Sequence, residues 1–215
     1  MKTTLAAIVF ATRNSHKIEE FNQILQNRAL PNPLPPIIGL EQINCFEELE
    51  ETSGTIEGNA IQKASYVASK YDVNCFAEDT GLEVQALQNA PGVRSARYAG
   101  DERDSHANMQ KVLEEMQAHD NRRARFKTVI ALYYQSTVLT FTGIVEGSIT
   151  REPRGSAGFG YDPIFLPDGQ TQTFAEMPQA EKNRMSHRFR AVEKLIEHLT
   201  MLWSDQKINN EEATE

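Results

Sequence analysis

Two adjacent acids, Glu78 and Asp79, follow the apolar run Val73-Asn-Cys-Phe-Ala77 and precede Thr80-Gly81. A run of that kind reads as a buried strand, and open α/β sheets bind ligands beyond the carboxyl ends of their strands. The spacing therefore predicts a strand that ends where both carboxylates project. Hard divalent cations such as Mg²⁺ prefer carboxylate oxygens and bridge them to phosphates, so a metal site is one use of the pair. The other is a turn in which Asp79 hydrogen-bonds nearby backbone, which Thr80-Gly81 fits equally.

A second group with chemical potential spans residues 155–190. Gly155, Gly158 and Gly160 suit positive φ or close approach to a planar ligand. Phe159 and Tyr161 offer aromatic faces and Asp162 an acceptor. Lys182, His187 and Arg188 bring cationic donors to an expected helix start near Ser186. An aromatic face with converging donors and acceptors suits a nucleobase. A third group is Thr12-Arg13-Asn14-Ser15-His16-Lys17, where Asn14 or Ser15 can cap a helix. Free amides and the helix dipole make such a junction a phosphate site with Lys17 in reach, or else a plain capped turn. Asn59 and Lys63 are four apart and share a helix face, which matters only if that face borders the site.

The elements that must position these groups follow from periodicity. Leu5–Ala11 reads as a strand buried on both faces, and Ile18, Phe21, Ile24 and Leu25 as the helix after it. Pro31, Pro33, Pro35 and Pro36 form a connector before a second strand at Ile37–Leu40. The acidic cluster Glu47, Glu48, Glu50 and Glu51 precedes a helix over Ile56–Tyr71 whose buried stripe is Ala60, Ala64, Val67, Ala68 and Tyr71. Leu82–Leu87 can form a strand, and Ala90–Gly100 is a loop carrying Arg94 and Arg97. A helix is expected over about Arg103–Ala118, then three strands at 126–134, 137–143 and 144–150 as an antiparallel extension. Ile164–Leu166 reads as a last strand. The final helix presents Val192, Leu195, Ile196, Leu199 and Leu202, and an acidic, frayed tail is expected over 205–215.

Composition sets the bounds. The 215 residues are 40% hydrophobic and 24% charged, as in an ordinary soluble globular protein; one domain is expected over 1–204. The net charge of −8 opposes binding to polymeric nucleic acid, and no apolar run reaches the roughly 20 residues that span a membrane. Cys45 and Cys75 lack metal-site spacing and read as reduced thiols, which with the absence of a cleavable leader points to the cytoplasm.

The residues just described occur in a familiar order: Thr12 to Lys17, Glu50-Glu51-Thr52, Asn59-Ala60-x-x-Lys63-Ala64, Glu78-Asp79-Thr80-Gly81-Leu82, Ala90-Pro-Gly-Val-x-Ser-Ala-Arg-Tyr98, Gly158-Phe-Gly-Tyr-Asp-Pro163, and Glu181-Lys182 with Ser186-His-Arg188. Together they resemble the inosine triphosphate pyrophosphatase family over nearly the whole chain. The resemblance implies an α/β fold with an elongated mixed sheet flanked by helices, two lobes and a central cleft. It implies Mg²⁺-dependent hydrolysis of deaminated purine nucleoside triphosphates (ITP, dITP, XTP) to monophosphate and pyrophosphate, usually by a homodimer. Carried over by position, Thr12, Arg13, Asn14, Ser15, His16 and Lys17 hold the triphosphate with Lys63. Glu50 and Asp79 hold metal, and Asp79 is also the catalytic base. Thr80, Phe159, Gly160, Tyr161, Asp162, Lys182, His187 and Arg188 bind the nucleoside, with His187 and Arg188 donating to the 6-oxo group. The chain departs from the pattern at Arg13, commonly Gly, at Glu78, commonly Asp, and at Gly58, where many members have Glu; the match leaves Glu50 and Glu51 interchangeable as the metal ligand.

Overall fold

The computed structural model describes residues 7–28 and 34–212; Leu5, Ala6, Pro31 and Pro33 lie outside them. Seven strands form one mixed sheet in the order β2-β1-β3-β5-β6-β7, with β4 (Ala90–Pro91) paired to β3. The apolar run near the N-terminus gives β1 (Ile8–Phe10), fully buried, with β2 (Ile37–Gly39) and β3 (Cys75–Val84) parallel on either side. From β3 onward the sheet is antiparallel through β5 (Arg123–Tyr134), β6 (Thr137–Ile149) and β7 (Phe165–Pro167). The sheet is thus mixed and flanked by helices.

Two expected breaks do not exist. Glu78 to Gly81 is not a strand end: β3 runs unbroken through it, with Asp79 opposite Val129 of β5. The physical end belongs to β1, which pairs with β3 only as far as Phe10 opposite Phe76. Beyond that point one edge of β3 is uncovered, and the acids sit there in mid-strand. Likewise the second and third expected strands are the single long β6. Gly143, which reads as a break, is a close-approach point, since a Cβ there would stand 2.0 Å from the His187 carbonyl oxygen.

The sheet separates two cores. On one face α1 (Ser15–Gln26) and α5 (His187–Glu212) bury Phe10, Phe21, Phe76, Ile130, Leu132 and Leu195. On the other, α2 (Ile56–Tyr71) packs its alanine stripe on Val9, Cys75, Ala77, Val129 and Ala131. Small alanines let α2 lie close to the strands. A third cluster joins α3 (Ser105–Glu115) to Leu82, Phe126, Tyr161 and Phe165; α4 (Gln179–Lys182) leads into α5. Helix α5 continues through 205–212, the stretch expected as a frayed tail; residues 213–215 lie outside the described residues. Among those described, no helix is long and apolar enough to cross a membrane.

Candidate active site

Side chains on a strand alternate between faces, so Glu78 and Asp79 look in opposite directions. Asp79 faces α2 and Glu78 faces α1 and α5. Asp79 borders a cavity of about 670 Å³ that opens where β1 stops, with Lys17, Lys63, Phe159, His187 and Arg188 also on its wall; Glu78 is not on that wall but pairs with Lys17 and Arg188, which are. That volume is typical of a small-ligand site.

The junction after β1 folds as a capped helix start. Asn14 is the N-cap of α1 and accepts the Lys17 backbone N–H at 3.2 Å, and Thr12 Oγ1 accepts the Asn14 N–H at 3.2 Å. The cap leaves the Ser15 and His16 amides of the first turn for an anion. Thr12, Arg13, Asn14, His16 and Lys17 reach the cavity; Ser15 is exposed and lies off its wall. Arg13 donates to the Cys45 carbonyl at 2.9 Å, tying this loop to the segment that leads into the acidic cluster. Lys17 Nζ donates to the Glu78 carbonyl at 3.3 Å, and Lys63 Nζ reaches the same oxygen at 2.9 Å. The two ammonium groups thus meet over the uncovered edge of β3. Burial holds the Lys17 ammonium below the usual lysine range, Glu78 works against that, and Lys63 adds to it.

On the α2 side, Lys63 Nζ lies 2.5 Å from Glu51 Oε1 and 3.7 Å from Asp79 Oδ1. Glu51, not Glu50, reaches the cavity; Glu50 is exposed and lies off its wall. Arg97 pairs with Glu51 at 3.3 Å, and Arg103 with Glu48, so the arginine loop is strapped to the acidic segment. Asp79 is 7% exposed. Burial raises its pKa; Lys63 and Lys17 offset part of that shift, and Glu51 adds to it. The carboxyl is therefore closer to a proton acceptor's range than an ordinary aspartate. Among the described residues no group of three or more acidic, histidine or cysteine side chains converges as a metal site. Glu51 and Asp79 supply hard oxygens on the cavity wall, the donor set expected when Mg²⁺ takes one or two carboxylates and completes its shell with substrate phosphates and water.

The opposite wall is a buried ion network. Arg188, 1% exposed, gives Nε and Nη2 to Glu78 at 3.0–3.2 Å and Nη1 to Glu20. Lys182 bridges Glu20 at 2.8 Å and Asp162 at 2.7 Å. Burial alone would raise the Glu78 carboxyl, but Arg188 and Lys17 outweigh it and hold the pKa down to about 2. Glu20 is lowered in the same way by Arg188 and Lys182. Gly158, at φ 73, lets Asp162 fold back and accept the Phe159 N–H at 2.9 Å; a Cβ there would stand 2.1 Å from the Asp162 carboxylate. Phe159 is half-buried and stacks on His16 at 4.9 Å, whereas Tyr161 is core, its hydroxyl donating to the Ser95 carbonyl at 2.8 Å. His187 stacks on Phe126 at 4.5 Å, and its Nδ1 is buried with no partner. Burial, then the cations Arg188, Lys182 and Lys17, keep its pKa well below the usual 6.5, so the ring is neutral. Thr80 Oγ1 pairs with Thr128 Oγ1 at 2.7 Å. Gly160, at φ 63, is also on the cavity wall.

Sequence reasoning missed Glu20. It sits at helical spacing from His16 and Lys17, but a glutamate on an amphipathic helix ordinarily faces water, and nothing local shows that it is buried. It also left Asn59 without a role, although the amide donates to Asp79 Oδ2 at 3.2 Å.

Known proteins are similar to this chain in sequence and fold. The sequence profile of the Ham1 family matches residues 8–198. The dITP/XTP pyrophosphatase of Flavobacterium johnsoniae is 50% identical over 193 residues, covering 90% of this chain and 97% of that protein. The Bacillus subtilis protein of the same name is 43% identical, covering 87% and 93%. Among solved structures, the Staphylococcus aureus Ham1 protein superposes with a TM-score of 0.80 at 34% identity, covering 93% of this chain and 100% of that one. A HAM1 protein from Coxiella burnetii gives 0.80 at 38% identity, covering 93% and 98%. With profile, sequence and fold agreeing over nearly the whole chain, this protein belongs to the Ham1 family.

Proposed function

We propose that the protein hydrolyses deaminated purine nucleoside triphosphates (ITP, dITP and XTP) between the α- and β-phosphates, giving the monophosphate and pyrophosphate. The observation that carries this reading is a single cavity. One wall holds a buried, proton-accepting Asp79 beside two lysines and Glu51, and the other an aromatic face beside a neutral histidine and a guanidinium. The names of the relatives agree with it.

Asp79 takes a proton from the water that attacks the α-phosphorus, a role favoured by its raised pKa. Lys17 and Lys63 turn from the Glu78 carbonyl and the acids to the phosphates, where charge builds on the departing pyrophosphate. The amides at the start of α1, with Thr12, Asn14 and Arg13, orient the chain of phosphates. Mg²⁺ held by Glu51 and Asp79 would supply charge neutralisation on the phosphate oxygens. Phe159 stacks the base. His187 and the N–H groups of Arg188 not engaged by Glu78 and Glu20 read its 6-oxo edge; donors there face the 6-amino group of adenine unsatisfied. A site built for one hydrogen bond rejects the wrong group by about 10⁴-fold or more.

A broader pyrophosphatase acting on other modified bases differs only in the nucleotide profile. Incubation with ITP, dITP, XTP, GTP and ATP plus Mg²⁺, with pyrophosphate and orthophosphate assayed separately, tests both. Orthophosphate as the primary product refutes cleavage at the α-phosphate, and equal rates on ATP refute base selection. The same reading makes the protein a homodimer that works in the cytoplasm; a monomeric mass by sedimentation equilibrium refutes the dimer.

A further inference from the structure

Asn59 stands behind Asp79 and away from the cavity. It is 1% exposed, and its Nδ2 donates to Asp79 Oδ2 at 3.2 Å. The two ends of an amide side chain are distinguished only by their partners, and here the partners leave one choice. Oδ1 receives the Ser53 backbone N–H at 3.1 Å and the Ser53 hydroxyl at 2.9 Å. A backbone N–H only donates, so the atom facing it must be the oxygen, and the NH₂ must face Asp79. A flipped amide would set its oxygen against the carboxylate and its nitrogen against the Ser53 N–H, losing both of those bonds and keeping only the one to the Ser53 hydroxyl, which can accept as well as donate.

Ser53 is held where it can do this by an absence. It lies against the first turn of α2 at Gly58, where a Cβ would stand 2.4 Å from the Ser53 Oγ, 2.8 Å from its Cβ and 2.8 Å from Oγ1 of Thr55, the N-cap. Any other residue at 58 would claim the space that Ser53 occupies. This accounts for a glycine in the first turn of a helix, where it is otherwise a poor residue.

We propose that Asn59 is a positioning residue for Asp79, locked in one amide orientation by Ser53 in the space left by Gly58. With Oδ2 tied, the plane of the carboxylate is set, and Oδ1 is the oxygen left 3.7 Å from Lys63 Nζ. The inference rests on the proposed function for what Asp79 does, and concerns how its aim is fixed. Groups that orient an acid or a ligand from behind typically cost about 10- to 100-fold when removed.

The test compares wild type with Asn59→Ala, Asn59→Asp and Ser53→Ala. Asn59→Asp keeps the shape and the bonds from Ser53, and replaces the donor to Asp79 by a carboxylate oxygen whose charge opposes it. For ITP with saturating Mg²⁺, both Asn59 variants are expected to lose about 10- to 100-fold in kcat with KM within about threefold. Ser53→Ala, at an exposed position, is expected to lose about three- to tenfold, again in kcat. Unchanged kcat in Ser53→Ala and Asn59→Asp, or losses confined to KM, overturns the proposal. A readout independent of turnover is the Asn59 side-chain amide in ¹⁵N-labelled protein, assigned by its disappearance in Asn59→Asp. It is expected to exchange slowly in wild type and faster in Ser53→Ala. An Asn59 amide in wild type that exchanges as fast as exposed asparagines overturns the proposal even if Asn59→Ala fails to fold. Wild-type protein that releases no pyrophosphate from any of the five nucleotides sinks the proposed function instead, and the exchange measurement still decides the role of Asn59.

Discussion

Glu78 and Asp79 are neighbours on one strand, both nearly inaccessible to solvent, yet their carboxyls are driven in opposite directions. The Glu78 side of β3 holds Arg188, Lys182 and Lys17 against Glu20, Glu78 and Asp162; Glu20 and Glu78 are held there as anions, while burial raises the Asp162 pKa against the pull of Lys182. The Asp79 side holds Lys63 shared between Glu51 and Asp79, and burial leaves Asp79 short of compensation. Of the two strand acids, Glu78 has its charge saturated and Asp79 does not. Saturated charge holds structure, and unsaturated charge is left free to do chemistry.

Replacing each acid in turn is the sharpest way to break that contrast. Asp79→Asn is expected to lower kcat by about 10³- to 10⁴-fold with nucleotide binding largely kept, read by single-turnover pyrophosphate release and equilibrium binding. Because ionised Asp79 is disfavoured by burial, the same variant should melt no lower than wild type. A large loss of stability would place Asp79 in the structural class. Glu78→Gln should do the reverse, costing about 3–5 kcal/mol in urea unfolding because Arg188 is left buried and under-paired.

The pH dependence of stability separates the faces further. His187 has a folded pKa well below its unfolded 6.5, so its contribution is intact above pH 6.5 and is lost as pH falls from there. Glu78, lowered from 4.5 to about 2, contributes fully above pH 4.5 and loses that contribution as pH falls towards 2. Melting temperatures from pH 8 to 3 should therefore fall in two stages. His187→Gln should flatten the upper one, and Glu78→Gln the lower. The smallest effect is expected at Arg97→Ala, which removes a half-exposed partner of Glu51; stability should change by less than about 1 kcal/mol, and an equal loss to that of Glu78→Gln would erase the distinction between the walls.

The sequence made the helices, the parallel start of the sheet and the three chemical groups legible, because periodicity and motif order are local signals. It misplaced the acids at a strand end because strand termination depends on what lies alongside: β1 stops at Phe10, and nothing within Glu78 to Gly81 records that. It read Gly143 as a break because a glycine's use as a contact point is visible only when α5 is in place. The choice between Glu50 and Glu51 was beyond a one-residue alignment, and the geometry places Glu51 beside Lys63. Glu20 was invisible for the opposite reason, since its partners Lys182 and Arg188 are more than 160 residues away in the chain.

The position of Asp79 in mid-strand bears on how the protein ages under heat. Its backbone is paired to β5 in the centre of the sheet, so the β3 amides that donate to β5 are expected to exchange with solvent only on global opening. The loop from Thr12 to Lys17 is held by a helix cap and a few side-chain bonds, and segments of that kind open locally. Early thermal damage should therefore be read as a rising KM at constant kcat: the protein loses its hold on the phosphates while the Asp79 carboxylate is still in place.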